Sequence, residues 1–284
     1  MGDADLVTYR TEGAVAVISL NRPAKRNAQN LELLYQLDGA FDRAARDDSI
    51  TVAVLRAEGP DFSSGHDLFD QADPADFKHV TTWAGFDLSG AEGWMAREQE
   101  AYLGLCMRWR NLPKPTIAVV QGRAIAGGLM LVWVCDIVIC SEDAVFRDPT
   151  VAMGVNGVEL FNHPWELGVR KAKEMLFTGD PIDAQTALRL GMVNHVVPRD
   201  SLDEFAMSLA TRISTRSRFG LKIAKQAVNQ TQDAQGYWTA QQAAMSLQQL
   251  GHTHNLYMFG SQVDPAGVPN VLKGKPADNQ GTRG

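Results

Sequence analysis

Apolar positions along the chain change their period several times, and each change marks an element. Val7 to Arg10 and Ala14 to Leu20 alternate apolar and polar residues on either side of Thr11, Glu12 and Gly13, which predicts an antiparallel hairpin. Asn21, Arg22 and Pro23 end the second strand. Asn30 then stands where a helix cap belongs, because Leu33, Leu34, Leu37, Phe41 and Ala45 recur at helical spacing as far as Asp47 and Asp48. Val52 to Leu55 predicts a short buried strand, closed by Gly59 and Pro60. From Gln71 to Gly93 no period persists, so a long mobile loop with short helical pieces is expected there, of the kind that covers a site.

Helical spacing returns from Glu98 to Arg110 through Ala101, Leu105 and Met107. Pro115 to Val120 is an apolar run rich in β-branched residues, as a buried strand requires. The stretch from Gly122 to Asp136 reads as a tight turn opening a helix with no polar face, which belongs in the interior. Ile137 to Ser141 and Ala144 to Phe146 predict strands, Met153 to Trp165 is irregular, and Arg170 to Phe177 is helical. A helix from Asp183 to Leu190 and a strand from Val193 to Val197, ended by Pro198, complete a repeating α/β pattern. From Ser201 only helices follow: Leu202 to Ser214, Leu221 to Gln230 and Tyr237 to Leu250. The expected division is therefore an α/β core over 1–200, a helical region over 201–262 that packs across a subunit boundary, and a flexible tail over 263–284 rich in Pro, Gly, Asn and Asp.

At 284 residues the chain has ample core to bury without disulfides or metals. Its net charge of -6 argues against nucleic acid or an anionic membrane as the main partner. Cys106, Cys135 and Cys140 lack the paired spacing of a zinc site or redox motif and read as reduced core residues. No apolar run approaches the roughly twenty residues of a membrane span, and the first residues carry no signal-type stretch. A cytoplasmic enzyme or binding protein is the expectation.

Chemistry concentrates at the glycines. Gly127 and Gly128 allow a sharp turn and a close approach of backbone to ligand. A buried helix start presents unpaired N–H groups; if a ligand carbonyl pairs with them, the turn is an oxyanion hole. The alternative is a glycine pair that only permits close packing of the helix.

The turns at Phe62 to Leu68 and Ala126 to Leu129 resemble the two oxyanion turns of the crotonase superfamily, the enoyl-CoA hydratases and isomerases. In support, in order, stand Asn21, Arg22 and Pro23 with Lys25, Arg26, Asn27 and Ala28, then the Lys114, Pro115 strand leading to Gly122, and Cys135, Asp136 and Ile137. Glu174 to Gly179 follows, then Ala184 with Ala187, Gly191, Val193 and Val196. The resemblance covers most of the chain. It implies a spiral of ββα turns, a C-terminal helical trimerisation region, homotrimers or dimers of trimers, an acyl-CoA substrate that brings coenzyme A with it, and neither a further cofactor nor a metal. It also implies that the amides of His66 and Gly127 hold the thioester oxygen, with Ser64, Gly65, Asp67, Leu68 and Gly128 beside them and Lys25 and Arg26 at the CoA phosphates. The His66 imidazole either reaches the substrate as acid, base or donor or covers Asp67.

One departure from the family pattern changes the expected chemistry. Hydratases of the family carry two glutamates, and the matching positions here are Met130 and Thr150. Addition of water needs positioned acid and base groups, which a thioether and a simple hydroxyl do not replace. The chain is therefore expected to stabilise an acyl-CoA enolate for isomerase, decarboxylase or carbon–carbon lyase chemistry. The alternative is a pseudoenzyme that binds acyl-CoA without turning it over. Glu159, in the loop from Gly157 to His163, and Asp148 are the candidate replacement carboxylates; both could equally be solvated loop residues. His163 either reaches the same pocket or packs inside. His252 and His254 are expected on the surface of a helix end.

Overall fold

The computed structural model describes residues 5–70, 72–82 and 85–269. β1 (Val7–Glu12) and β2 (Val15–Leu20) form the expected hairpin, with Val7 opposite Leu20 and Glu12 opposite Val15. α1 (Leu31–Arg46) starts where the sequence predicts, because the Asn30 side chain accepts from the Leu33 amide at 3.1 Å. β3 (Val52–Ala57) lies parallel to β2. Irregular backbone with a short 3₁₀ turn (Pro74–Asp76) then leads to α2 (Gly90–Glu98), which continues through a π-helical stretch (Gln99–Gly104) into α3 (Leu105–Arg110). The helix thus begins at Gly90 rather than Glu98. Gly90 and Gly93, poor helix formers, conceal its first turns in the sequence.

β4 (Thr116–Val120) extends the sheet beside β3. A short β5 (Arg123–Ile125) occupies what the sequence presents as a simple turn, and α4 (Gly127–Trp133) follows, buried along its whole length. β6 (Ile137–Ser141) runs parallel to β4, and β7 (Val145–Arg147) runs parallel to β5. α5 (His163–Thr178) starts at His163 rather than Arg170 and is interrupted at Gly168. Pro164 looks like a breaker in the sequence but occupies the first helical turn, where no N–H is needed. β8 (Ile182–Asp183), α6 (Ala184–Leu190) capped by Asp183, and β9 (His195–Val197) end the α/β part. The main sheet has the order β1-β2-β3-β4-β6-β9, parallel apart from the hairpin, and β5-β7-β8 form a smaller sheet.

The strands' period of two sends alternate residues into separate cores. Ala16, Ile18, Leu20, Ala53, Leu55, Ala118 and Val120 face α1, α3 and α4 in the larger cluster. Val15, Val17, Val52, Val54, Ile117, Val119 and Ile139 face Leu202, Ala206, Leu209 and Ala210 of α7 (Leu202–Ser214). The first C-terminal helix therefore covers the sheet of its own chain. α8 (Arg218–Ala234) buries no residue and exposes Phe219, Ile223 and Val228.

α9 (Tyr237–Phe259) runs nine residues beyond the expected end at Leu250. The glycine after Leu250 resembles a stop signal. In the fold Gly251 instead lets α9 approach the backbone of residue 154: a Cβ there would lie 2.8 Å from the Gly154 carbonyl oxygen. Of the tail, Asp264 donates from its amide to the Met153 carbonyl at 2.9 Å, and the expectation for residues 270–284 lies outside the described residues. Among the described residues no helix is long and apolar enough to cross a membrane.

Candidate active site

Two backbone turns meet at the centre of the molecule. The first follows β3: Gln29 donates from its amide to the Gly65 carbonyl, and the Asp67 amide donates to the Gln29 carbonyl, both at 2.8 Å. This parallel bridge fixes the residues on either side of His66 and turns the His66 N–H away from it. The second turn lies between β5 and α4. The Ser63 amide donates to the Arg123 carbonyl and the Ile125 amide to the Ser63 carbonyl, both at 3.0 Å, so the turns are laced together. Ala126 sits between β5 and α4 with φ 49° and ψ -117°, a conformation that costs a non-glycine residue energy and is held by the Arg147 carbonyl, which accepts from its amide at 2.9 Å. Among the described residues the amides of His66 and Gly127 donate to no acceptor.

The His66 imidazole closes the gap between the turns. Its ring lies so near Gly127 that a Cβ there would come within 2.8 Å of Nδ1. Nε2 is 2.9 Å from Glu159 Oε2, and the Tyr102 ring stacks on the imidazole with centroids 4.1 Å apart. His66 therefore does not cover Asp67, which takes an Arg22 guanidinium at 2.7 Å instead. Burial alone would drive the proton off His66, but Glu159 beside it outweighs burial and raises the imidazole above its usual range. Burial likewise opposes ionisation of Glu159, and the His66 charge and hydrogen bond bring its carboxyl below the usual range. Both shifts favour the pair as an imidazolium and a carboxylate. Nδ1 is buried and has no partner among the described residues.

Glu159 is held from both sides along the chain. The Val158 amide donates to Asp148 at 3.1 Å, and the Phe161 amide donates to Gln241 of α9 at 2.8 Å. Asp148 itself is fully buried and saturated. It accepts from the Thr150 amide at 3.0 Å, the Thr150 hydroxyl at 2.6 Å, the Val158 amide and His163 Nε2 at 2.8 Å. Although burial opposes it, those donors bring its carboxyl below the usual range. Asp148 and His163 thus build the floor under the loop and do not line the cavity, unlike the pocket position weighed for them from the sequence. Thr150 borders the cavity with its hydroxyl tied to Asp148, and Met130 is packed in the apolar core.

The cavity in front of Glu159 has a volume of about 220 Å³ and is bordered by His66, Asp67 and Leu68. A further part of its wall comes from α2, the π-helical stretch and α9: Trp94, Arg97, Glu98, Tyr102, Gln248 and His252. His252, expected on the surface, is 8% exposed; its Nδ1 donates to the Gln262 carbonyl at 2.8 Å, and its Nε2 lies 3.0 Å from Glu98 Oε1 without hydrogen-bond alignment. Burial would lower His252, yet Glu98 pushes it up to about 9. Burial and the nearby Glu159 push Glu98 up as well. This wall escaped the sequence reading. Its signal was the spacing Trp94, Glu98, Tyr102 along one helix and the polar stripe Gln241, Gln248, Gln249, His252, Asn255 along another.

The remaining expected residues surround the first turn. Ser64 is half-buried and donates from its amide to the Arg26 carbonyl at 3.0 Å; Gly65 is buried; Leu68 is exposed. Gly128 packs against Ser63. Lys25 and Arg26 are exposed and belong to no ion pair among the described residues. No group of three or more His, Cys, Asp or Glu side chains among the described residues is arranged to hold a metal ion.

Known proteins with this arrangement can be set beside it. The family model for enoyl-CoA hydratase/isomerase matches residues 10–264. The chain is 42% identical over 259 residues to "Putative enoyl-CoA hydratase EchA13" of Mycobacterium tuberculosis, covering 88% of this chain and 81% of that one. A probable enoyl-CoA hydratase of Mycobacterium smegmatis superposes with a TM-score of 0.83 at 46% identity, covering 91% of this chain and 99% of that structure. A monofunctional enoyl-CoA isomerase from M. smegmatis superposes with a TM-score of 0.65 at 29% identity, over 81% and 95% of the two chains. With its two laced turns, its α/β spiral and this match over nearly its whole length, the chain belongs to the enoyl-CoA hydratase/isomerase family, within the crotonase superfamily.

Proposed function

We propose that the protein isomerises an enoyl-CoA thioester by moving a proton along the acyl chain, and that it is a poor hydratase. The observation that carries this is the His66–Glu159 pair, 2.9 Å apart at the mouth of the two turns, together with Met130 and Thr150 where hydratases of the family carry glutamates. Isomerisation requires one base that takes a proton from one carbon and returns it to another. Hydration requires a positioned water and two groups to handle its protons.

The thioester oxygen accepts hydrogen bonds from the His66 and Gly127 amides. The Glu159 carboxylate removes a proton from the carbon between the thioester carbonyl and the double bond, breaking a C–H bond, and the electron pair moves into the carbonyl to leave a dienolate. Negative charge thereby passes from Glu159 to the dienolate oxygen, and the His66 imidazolium, which has lost its carboxylate counterion, faces that charge. Two amide donors in a site without water stabilise it by about 3 kcal/mol each. Glu159 then returns the proton to the other end of the dienolate. Decarboxylation and carbon–carbon cleavage would use the same hole; the ionised carboxylate beside the imidazolium favours proton transfer. Lys25 and Arg26 would meet the phosphates of coenzyme A, which is part of the substrate and no separate cofactor. Homotrimers or dimers of trimers would cover the apolar residues that α8 exposes.

Two measurements test this reading. With a 3-enoyl-CoA, appearance of the conjugated thioester absorbance is expected, and Glu159→Gln should lower its rate on the order of 10²–10⁴-fold. With crotonyl-CoA, the same absorbance should persist; its loss at a normal hydratase rate would refute the role given to Met130 and Thr150.

A further inference from the structure

His66 is gripped at three places, and one of them takes no part in proton transfer. Nε2 lies 2.9 Å from Glu159 Oε2. The edge formed by Cε1 and Nδ1 lies so close to the Gly127 backbone that a Cβ on that residue would come within 2.7 Å of Cε1. The Tyr102 ring covers a face of the imidazole, with centroids 4.1 Å apart and planes 27° from parallel. Nδ1 has no hydrogen-bond partner among the described residues, so a single polar contact and this stack set the tilt of the ring.

Tyr102 is delivered by an element that is anchored without help from His66. It stands in the π-helical stretch between Ala101 and Leu103, both buried in the larger core. Two residues earlier Glu100, fully buried, accepts from the amides of Val80 and Thr81 at 2.6 and 2.8 Å and from the Tyr35 hydroxyl at 3.1 Å. A side chain whose neighbours are locked in this way is preorganised over its target. Burial, Glu159, Glu98 and Asp70 push the Tyr102 phenol up against the opposing pull of Arg97, so the ring is neutral. The face of a neutral aromatic ring attracts a cation within about 6 Å of its centroid, most strongly away from water.

The groups that act on the His66 charge are otherwise carboxylates. Burial opposes the charge, and Glu159, then Glu98 of α2 and Asp148 after β7, favour it. Asp67, next in the chain, is paired with Arg22, and His252 of α9 lies 3.0 Å from Glu98.

We propose that Tyr102 is a positioning residue that acts through His66: its ring face holds the imidazole in line with Glu159 and favours the imidazolium by a cation–π contact. This rests on the reading that the His66–Glu159 pair carries the proton transfer, and the test separates the two.

The histidines of the full chain are isotope-labelled, the His66 signal is assigned by its loss in His66→Gln, and its titration is followed by NMR in the native chain, Tyr102→Phe and Tyr102→Leu. Both variants lack the hydroxyl and keep an apolar side chain over the imidazole; only phenylalanine keeps the π face. The expected midpoint is unchanged in Tyr102→Phe and about one pH unit lower in Tyr102→Leu. With a 3-enoyl-CoA, Tyr102→Leu should also lower kcat about tenfold with KM little changed. Should Tyr102→Leu fail to fold, Tyr102→Met makes the same comparison. A midpoint shared by all the proteins, as mere packing would give, overturns the proposal, and so does a fall in Tyr102→Phe as large as in Tyr102→Leu. Midpoints that move as expected in a native chain that turns over no 3-enoyl-CoA overturn the isomerase reading and leave the stack on His66 standing.

Discussion

Two histidine–carboxylate pairs lie on opposite faces of the same loop and differ in almost everything except geometry. His66 meets Glu159 at 2.9 Å and His163 meets Asp148 at 2.8 Å. The second pair has no exposure at all, and its carboxylate is saturated by the Thr150 amide and hydroxyl, the Val158 amide and the imidazole. The first pair borders the cavity, its carboxylate has the imidazole as its side-chain partner, and Nδ1 of its histidine has no partner among the described residues. A carboxylate that has spent all its acceptor capacity on the protein holds structure, whereas one with capacity left can take a proton from a substrate. Distance between histidine and acid does not separate the roles; the surrounding donors do.

A matched pair of amide substitutions should break this comparison most visibly. Asp148→Asn replaces an oxygen acceptor with a donor facing other donors, in a place closed to water, and is expected to cost about 3 kcal/mol of folding stability, read by denaturant unfolding. Glu159→Gln should leave stability much closer to the native value while removing activity as given above. If Asp148→Asn unfolds at the native midpoint, or if Glu159→Gln is the more destabilised of the two, the roles assigned to the pairs are wrong.

The next effect is in the pH profile of kcat/KM. Glu159 must be ionised to take a proton, and its carboxyl lies below the ordinary value of 4.5; His66 must be protonated to face the dienolate, and its imidazole lies above 6.5. Activity should therefore rise with pH at a midpoint below about 4.5 and fall at a midpoint above about 6.5, a plateau wider than free side chains would give. An alkaline limb at or below the ordinary histidine value would show that the pair does not carry an imidazolium.

What the sequence allowed, and what it hid, follows the same division between local and long-range chemistry. The hairpin, the Asn30 cap, the strands and the two glycine turns are written in periods and short signals, and α7 was placed to the residue. Glu159 is a candidate in the sequence because the family resemblance places a carboxylate used as base or nucleophile close to its loop. Its partner was not legible, since ninety-three residues separate His66 from it and no spacing rule connects them. The whole of the α2 and α9 wall was lost for two further reasons. Gly90, Gly93 and Gly251 read as loop or stop signals where the fold uses them within helices. The π-helical stretch at Gln99–Gly104 also shifts the helical register between α2 and α3, so the period read from α3 does not carry back into α2.

The third histidine–carboxylate pair, Glu98 with His252, gives the smallest expected effect and sharpens the comparison most finely, because its members are neither saturated like Asp148 nor placed at the oxyanion turns like His66. His252 is pushed up to about 9, from an ordinary value of 6.5, by Glu98 beside it, and the Gln262 carbonyl and the more distant Glu159 act in the same direction. A histidine with a raised folded-state value binds its proton more tightly when folded. Its contribution to stability is fully present below about pH 6.5 and is lost as pH rises through about 9. Glu98, also raised, contributes with the same sign, whereas buried cysteines and tyrosines lose stability at high pH regardless of this pair. The difference between native chain and His252→Gln isolates the pair: on the order of 1–3 kcal/mol more stability lost by the native chain between pH 7 and pH 10, measured by denaturant unfolding at each pH. Parallel curves for the two proteins would mean that His252 carries no extra proton in the fold, and that Glu98 is held by the Gln249 amide alone.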